Sequence, residues 1–540
     1  MKMRFINKSI FKVLALIFIL SSCKKETKEF TEPYTTSTEG LGIIMDRVKP
    51  PVPSSGIAGT VVTVAATGMM PYKDRLVFMF NGEKAEVLEV AETHIKVKVP
   101  EYASTGVLSV AVDDVLAFGP QFKVTGLISA DPTFRVPSGA NGDVMQILNL
   151  ADSKRLIVGR FTNYNNKGAV RPINRIVSVF SDYSYDPSLK SGKGANGGVN
   201  SIIEYKGKYL IAGSFSGYDQ RGENISNLTM LNKNGSIDTM GIHPFRRPDQ
   251  NDTIKYYPRF NAGTDRAINQ IHQTPDGKLL VAGGFNFFIS RRYDQPDKRK
   301  ENDSVILDSI RIPQILRLNA DGTLDKSYRF SEALNEGFKA ANGPVNAFIH
   351  KDVRHQGKVL LYGKFTSFDE QAAKNIVRLN ADGTIDKTFS LGLGPDNAVQ
   401  SAIYNEVLDR YVVTGLFRTY NGKAQEFLAV LKSDGSLDES FVPKAFNAPG
   451  LNFAKLLDDG LMVVTGFFNS YGGVARSGFL ILDRSGNLAP GYNATGSFNG
   501  VLKDAIETKS DDNKRALLLI GSFTRFNNEI ANNIIRIVLE

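Results

Sequence analysis

Five histidines (His94, His243, His272, His350 and His355) and a recurring pair of aspartates are the residues with which this chain could handle protons or metals. The aspartates stand as Asp-Gly-x-x-Asp at Asp321/Asp325, Asp382/Asp386 and Asp434/Asp438. A helix-loop-helix calcium site needs oxygen ligands at loop positions 1, 3, 5 and 12, with glycine at 6. Here glycine directly follows the first aspartate, which is the chemistry of a tight turn. The sequence has no HExxH, no third ligand near His350 and His355, no Gly-x-Ser-x-Gly elbow, no phosphate loop and no dinucleotide fingerprint. We therefore expect no metal, no cofactor and no catalysis. Paired carboxylates acting across a cleft leave no local motif, so a glycosidase or lyase stays open as an alternative. A different chemistry, recognition, is written in one stretch of aromatic and cationic residues: Phe245, Arg246, Arg247, Tyr256, Tyr257, Arg259, Phe260, Phe287, Phe288, Arg291, Arg292 and Tyr293. Arginine and tyrosine on irregular segments are the usual material of binding hot spots.

The elements that must position these residues repeat. A β-rich apolar run ends in Gly-x-Phe seven times, at Gly159, Gly213, Gly283, Gly363, Gly415, Gly466 and Gly521. A second aromatic follows three residues after each Phe: Tyr164, Tyr218, Phe288, Phe368, Tyr420, Tyr471 and Phe526. A period of this length is the mark of a stacked or circular array. The cleanest copy reads as strands at 345–348, 358–365 and 375–380, then the turn Ala381-Asp382-Gly383 and a fourth strand at 385–389. Four short antiparallel strands per repeat make a propeller blade. The last copy stops after its third strand, and Asp131-Pro132-Thr133-Phe134 matches the missing fourth, Asp386-Lys387-Thr388-Phe389. Pairing the two ends would close a seven-bladed ring over 127–540 and remove the open edges. The spacings from Gly213 to Gly283 (70 residues) and from Gly283 to Gly363 (80 residues) mark insertions at about 240–266 and 286–312. Second-to-third-strand loops and blade-to-blade links leave a blade on the same face, so the recognition cluster is expected on one face of neighbouring blades. The bland alternative is that these loops only cover each other.

Residues 42–126 carry a different pattern. Ile95, Val97 and Val99 alternate with Lys96 and Lys98, and Leu108, Val110 and Val112 repeat the period of two. With turn pairs at Gly59-Thr60, Asn81-Gly82 and Thr105-Gly106, this predicts one small two-sheet sandwich. The chain is thus expected to be all-β. Of 540 residues only one is cysteine, which excludes a disulfide scaffold. That Cys23 follows Lys2, Arg4, Lys8 and Lys12, an apolar run from Val13 to Leu20, and Leu20-Ser21-Ser22. Eight apolar residues cannot span a bilayer as a helix, so the segment reads as a secretory signal. Four of the nine net positive charges lie in it, which leaves about +5 on the 518 residues that follow. Such weak charge does not argue for a nucleic-acid partner.

Three resemblances rest on these residues. Leu20-Ser21-Ser22-Cys23 resembles the lipobox of bacterial lipoproteins, which implies a signal peptide over 1–22, a lipid on Cys23 as membrane anchor, and a solvated tether over 23–41. Pro53, Gly56, Gly59 to Val64, Val77 to Gly82, Val99-Pro100 and Gly119 to Phe122 resemble the IPT/TIG immunoglobulin-like domains, commonly spacers at bacterial surfaces. Leu318 to Asp325, with its relatives at 379–386 and 431–438, is similar to the delta-60 repeats of bacterial propeller-like proteins. Together they resemble surface lipoproteins of the Bacteroidota found beside SusC/SusD-type importers. That implies an outer-membrane protein, lipid-anchored and facing the cell exterior or the periplasm. It would capture an oligosaccharide or peptide nutrient, serve such a transporter, or act as a docking scaffold.

Overall fold

The computed structural model describes residues 41–245, 253–301, 303–390 and 392–540. The signal segment, Cys23, nearly all of the tether, Arg246 and Arg247 lie outside the described residues. Among the described residues the secondary structure is β throughout, apart from one helical turn at Met70–Tyr72.

Residues Ile44 to Val124 form two facing sheets. One orders the strands Ile44–Met45, Val61–Thr67, His94–Lys98 and Glu86–Val90; the other orders Ser55–Gly56, Val115–Val124, Gly106–Val112, Leu76–Phe80 and Glu83–Lys84. The period-two residues of both point inward. Val62, Val64, Phe78, Phe80, Ile95, Val97, Leu108, Val110 and Phe122 make one buried cluster, with edge-on aromatic contacts from Phe80 to Phe78 (5.7 Å) and Phe122 (5.1 Å).

The remainder is a β-propeller. Its described residues form seven antiparallel sheets on one plan, whose innermost strands are Val144–Asn149, Gly198–Tyr205, Ile268–Gln273, Val345–Ile349, Val399–Asn405, Leu451–Leu456 and Asn499–Lys509. We refer to them as the first to the seventh sheet. Each inner strand pairs with the strand ending in Gly-x-Phe, and that strand with a third. The expected fourth strand is mostly a single bridge: Leu231 to Ile237, Leu318 to Leu324, Leu379 to Ile385, Leu431 to Leu437 and Leu482 to Leu488. The second aspartate of Asp-Gly-x-x-Asp is what ends it. Asp386 accepts from the backbone N–H of Thr388 (3.0 Å) and from its hydroxyl (2.6 Å), and binds Lys358 (2.7 Å) and Arg378 (2.7 Å). A carboxylate so engaged turns the chain out of the sheet. The first aspartate closes the hairpin, as Asp382 does on Thr384 (2.9 and 2.7 Å). In the first sheet, which lacks the turn glycine, Tyr183 adopts the same left-handed backbone (φ 65°) that Gly383 takes at φ 88°.

The two ends of the propeller segment meet. Ile128–Ala130 pairs with the last strand, Ile128 opposite Leu539 and Ala130 opposite Ile537. The pairing residues thus precede Asp131, whereas the sequence match placed them at 131–134. Asp131 instead caps Thr133 and forms an ion pair with buried Arg536, the role Asp386 plays in its own sheet. The first and seventh sheets also share one apolar cluster, in which Val144, Ile157 and Val177 pack on Leu518, Ile520 and Ile534.

The Gly-x-Phe motif has two structural reasons. Its glycine lies against the carbonyl of the neighbouring inner strand: a Cβ on Gly213 would sit 2.0 Å from the Gly198 oxygen, and one on Gly363 2.1 Å from that of Pro344. Its Phe is buried in every copy, and so is the aromatic three residues later. Tyr164 and Tyr218 spend their hydroxyls on the carbonyls of Tyr183 and Gly235 (both 2.9 Å), at the turn of their own repeat.

Candidate functional site

The inner strands surround a cavity of about 840 Å³. Six of the seven carry a β-bulge at one equivalent place, where the register shifts around Met145, Asn200, Asn269, Gln400, Asn452 and Lys503. A bulge turns an extra residue out of the ladder. All six line the cavity, joined by Asn346 from the unbulged fourth sheet. The wall is thus a ring of carboxamides interrupted by one methionine and one lysine. The next residues along the strands, including Gln146, Ser201, Gln270, Ser401 and Asp504, form a second tier.

Part of this polarity joins sheets. Gln146 brackets Ile202, donating to its carbonyl and accepting from its N–H (both 2.9 Å). Asn200 donates to the Ile268 carbonyl (2.9 Å), and Asn269 to Asn346 (3.3 Å). Part is unspent: Asn200 Oδ1, Gln270 Oε1 and Asn452 Nδ2 are buried and have no protein partner among the described residues, although buried polar atoms are normally satisfied. Asp504 is held by Lys455 (2.7 Å). Lys503 has no hydrogen bond or ion pair among the described residues. Its side chain is open to the cavity, yet the surrounding wall pushes its pKa down by desolvation; Asp504 opposes that shift and Arg160 adds to it.

The variable x of Gly-x-Phe faces solvent in every sheet: Arg160, Ser214, Gly284, Lys364, Leu416, Phe467 and Ser522. Each sits where its strand meets the start of an inner strand, so together they rim one mouth of the channel. Leu416 and Phe467 reach the cavity wall. The rim is clamped from the preceding link, whose Asn or Asp accepts two successive backbone N–H groups past the motif: Asn141, Asn196, Asp265, Asn342 and Asp396 each do so.

The two insertions open onto this same face and join. One is a hairpin of Thr239–Ile242 with Lys255–Pro258, the other of Phe287–Pro296 with Asp303–Arg311. Tyr257 and Tyr293 stack at 4.4 Å, the Tyr293 hydroxyl donates to the Pro258 carbonyl (3.1 Å), and Lys255 pairs with Asp303 (2.7 Å). Tyr257, Tyr293, Phe260, Phe288 and Arg291 are buried by this packing. Arg291 donates to Ser226 (2.6 Å). Phe245 is half-buried, while Arg259 reaches Asp238 (3.5 Å) and Arg292 Asp308 (3.0 Å) from exposed positions. Tyr256 (56% exposed) and Phe287 (38%) face outward. Of the recognition cluster, then, the described members lie on the joined hairpins, and about half of them face inward.

The sandwich docks on this face too, across the ring. Thr105 bonds Ala494 (2.9 Å) and Asn528 (3.1 Å), Arg476 donates to the Tyr102 carbonyl (3.0 Å), and Glu83 accepts from the Ala475 N–H. These partners belong to the links and second-to-third-strand hairpins of the sixth and seventh sheets. The channel mouth therefore lies between the sandwich and the insertions.

Of the histidines named above, His350 is fully buried and used internally. Asp352 can only accept, so His350 Nδ1 donates to it (2.9 Å), and Nε2 accepts from the Tyr411 hydroxyl (2.7 Å), which in turn accepts from Arg378 (3.0 Å). Burial pushes the pKa of His350 down to about 4, as it does that of His272.

The molecule is an all-β protein built on a propeller. Residues 357–389 and 409–441 match the family described as a domain of unknown function (DUF5122) beta-propeller. No curated protein matches. Among solved structures, the Dos1 propeller is 12% identical, covering 74% of this chain and 93% of its own, at a TM-score of 0.37. Sqt1 from Chaetomium thermophilum is 8% identical, covering 76% and 100%, at 0.36. An auxiliary nutrient binding protein from Bacteroides ovatus is 13% identical, covering 71% and 96%, at 0.20.

Proposed function

We propose that the protein is a non-catalytic, lipid-anchored binding protein of the outer membrane that takes a polar ligand, an oligosaccharide before a peptide, at the channel mouth. In this reading the seven sheets are seven blades, and the sandwich is an immunoglobulin-like spacer of the IPT/TIG kind between anchor and ring. The ligand would be passed to a SusC/SusD-type importer. The observation that carries the reading is the carboxamide ring: each amide both donates and accepts, as hydroxyl-rich ligands require, and two buried polar atoms on it, with a third on the tier behind, are unspent among the described residues.

The test is calorimetry of the Cys23→Ala protein against glycans and peptides, with product analysis of the same mixtures. Binding without turnover, weakened at least tenfold by Asn346→Ala with Asn269→Ala, is the expected result. Turnover would replace this reading with an enzyme. Affinity unchanged by the channel variants would move the site elsewhere. The outward residues Tyr256, Phe287 and Leu307 (61% exposed), all on the joined hairpins, favour protein docking as a second reading. Co-purification of an outer-membrane barrel, lost on Tyr256→Ala with Phe287→Ala, is its signature.

A further inference from the structure

We infer that the saccharide taken at the channel mouth is an acidic one, with a carboxylate against Lys503 and an apolar sugar face against Phe467. The inference rests on the reading of the mouth as a saccharide site and sharpens it.

Of the two lysines that line the cavity, Lys503 is the one with no hydrogen bond or ion pair among the described residues. The other cations beside it have carboxylates: Lys455 holds Asp504 at 2.7 Å, and Arg160 approaches Asp143 at 3.5 Å. At the position of Lys503 the other six sheets present neutral side chains. An ammonium on the wall of a channel loses part of its hydration, and an anion brought close to it compensates. One lysine among neutral amides suits a single negative charge spread over two oxygens. A phosphate dianion calls instead for several converging donors, typically with an arginine fork.

The rim around Lys503 is asymmetric. Going round the ring, the sixth sheet contributes Phe467, 66% exposed although it lines the cavity, and the first sheet contributes Arg160. The fifth sheet adds Leu416 beyond Phe467. An open aromatic ring on one flank and cations on the next match a pyranose ring, which has an apolar C–H face and, in a uronic acid, a carboxylate at its edge. The carboxamides that continue round the channel are suited to its hydroxyls.

The experiment is calorimetry of the full chain carrying Cys23→Ala. The ligands are short oligomers of galacturonate, glucuronate and mannuronate, each beside its methyl ester, which keeps the sugar and removes the charge. At least one acid should bind ten-fold or more tighter than its ester, with the difference shrinking in 0.5 M salt. Lys503→Met should erase the difference while leaving ester affinity unchanged, and Lys503→Arg should restore it. Phe467→Ala should weaken acid and ester alike. Equal affinity for acid and ester, or a preference that survives Lys503→Met, overturns the inference and leaves the saccharide reading standing. If no acid or ester binds and neutral glycans also fail, both fall.

Discussion

Substituting Asp131 by alanine tests whether the two ends of the propeller segment latch together. Asp131 and Arg536 are 405 residues apart in sequence, and Arg536 is buried in the last strand. Removing the carboxylate leaves a buried guanidinium whose remaining partners are Thr133 (2.9 Å) and the half-exposed Asp511 (2.7 Å). Breaking a buried pair on one side costs about 3–5 kcal/mol. Because Asp511 remains, the lower end applies, and the lost bonds from the Thr133 N–H (2.8 Å) and hydroxyl (2.7 Å) raise the total to about 4 kcal/mol. A unit of roughly 400 residues unfolding together has an entropy near 0.9 kcal/mol/K, so Tm should fall by about 4–5 °C. Asp386→Ala is the matched control, because Asp386 has the same turn and cation partners inside a sheet of continuous chain. Both variants should lose similar thermal stability by scanning fluorimetry. Under limited proteolysis with mass spectrometry, only Asp131→Ala should release fragments from the last strand, Ile534–Leu539, well below Tm. Indistinguishable fragment patterns would refute the latch and make Asp131 one more turn aspartate.

Three further outcomes follow from the geometry. Folded His272 and His350 titrate near pH 4 against an ordinary 6.5, so between those values the unfolded chain takes up protons that the folded chain refuses; stability must fall as pH drops from 6.5 to 4, by up to about 1.4 kcal/mol per unit for each histidine. Urea midpoints from pH 7.5 to 4.5 measure this, and His350→Gln should flatten the slope. Gly213→Ala drives a Cβ to 2.0 Å from a backbone oxygen and should cost several kcal/mol, whereas Gly466→Ala meets only the end of Leu451 at 2.8 Å and should cost about 1 kcal/mol by thermal unfolding. Tyr293→Ala removes half of the buried stack with Tyr257 and should destabilise by about 3 kcal/mol, while Tyr256→Ala should stay within about 0.5 kcal/mol.

Architecture was legible here because close packing writes itself into every repeat. In six of the seven motifs a backbone carbonyl lies too close to the glycine to permit a Cβ, as at Gly213 and Gly363, and the Phe that follows is buried in every copy. The insertions showed as breaks in the period for the same reason. The fourth strand is shorter than its sequence suggests because Ile385-Asp386 looks apolar and extended, whereas the side chain of Asp386 turns the backbone away after one bridge. No propensity scale carries that information, since it depends on Lys358 and Arg378 arriving from other strands.

The candidate site was hidden by the same logic. In a repeat protein, whatever recurs supports the ring, and the eye passes over the positions between. Asn269, Gln400 and Asn452 each read as one polar residue beside an apolar one in an ordinary strand. That they converge follows from bulges, which alter no composition. A usable signal did exist. The x between an unchanging Gly and an unchanging Phe runs Arg, Ser, Gly, Lys, Leu, Phe, Ser through the sheets. The glycine's contact fixes the height of the rim, the link Asn or Asp clamps the residues just beyond, and the Phe anchors the motif in the core. The x side chain is then held in place without being needed for packing. Recognition chemistry can change there at almost no cost in stability, because the backbone that presents it is fixed by its neighbours. The channel residues lack that freedom: Gln146 and Asn200 also tie adjacent sheets, so replacing them would perturb the ring along with the ligand. A site built this way keeps its support in the amides that tie sheets and its specificity at the rim and at Lys503, and around Arg160, Leu416 and Phe467 the repeats present different side chains.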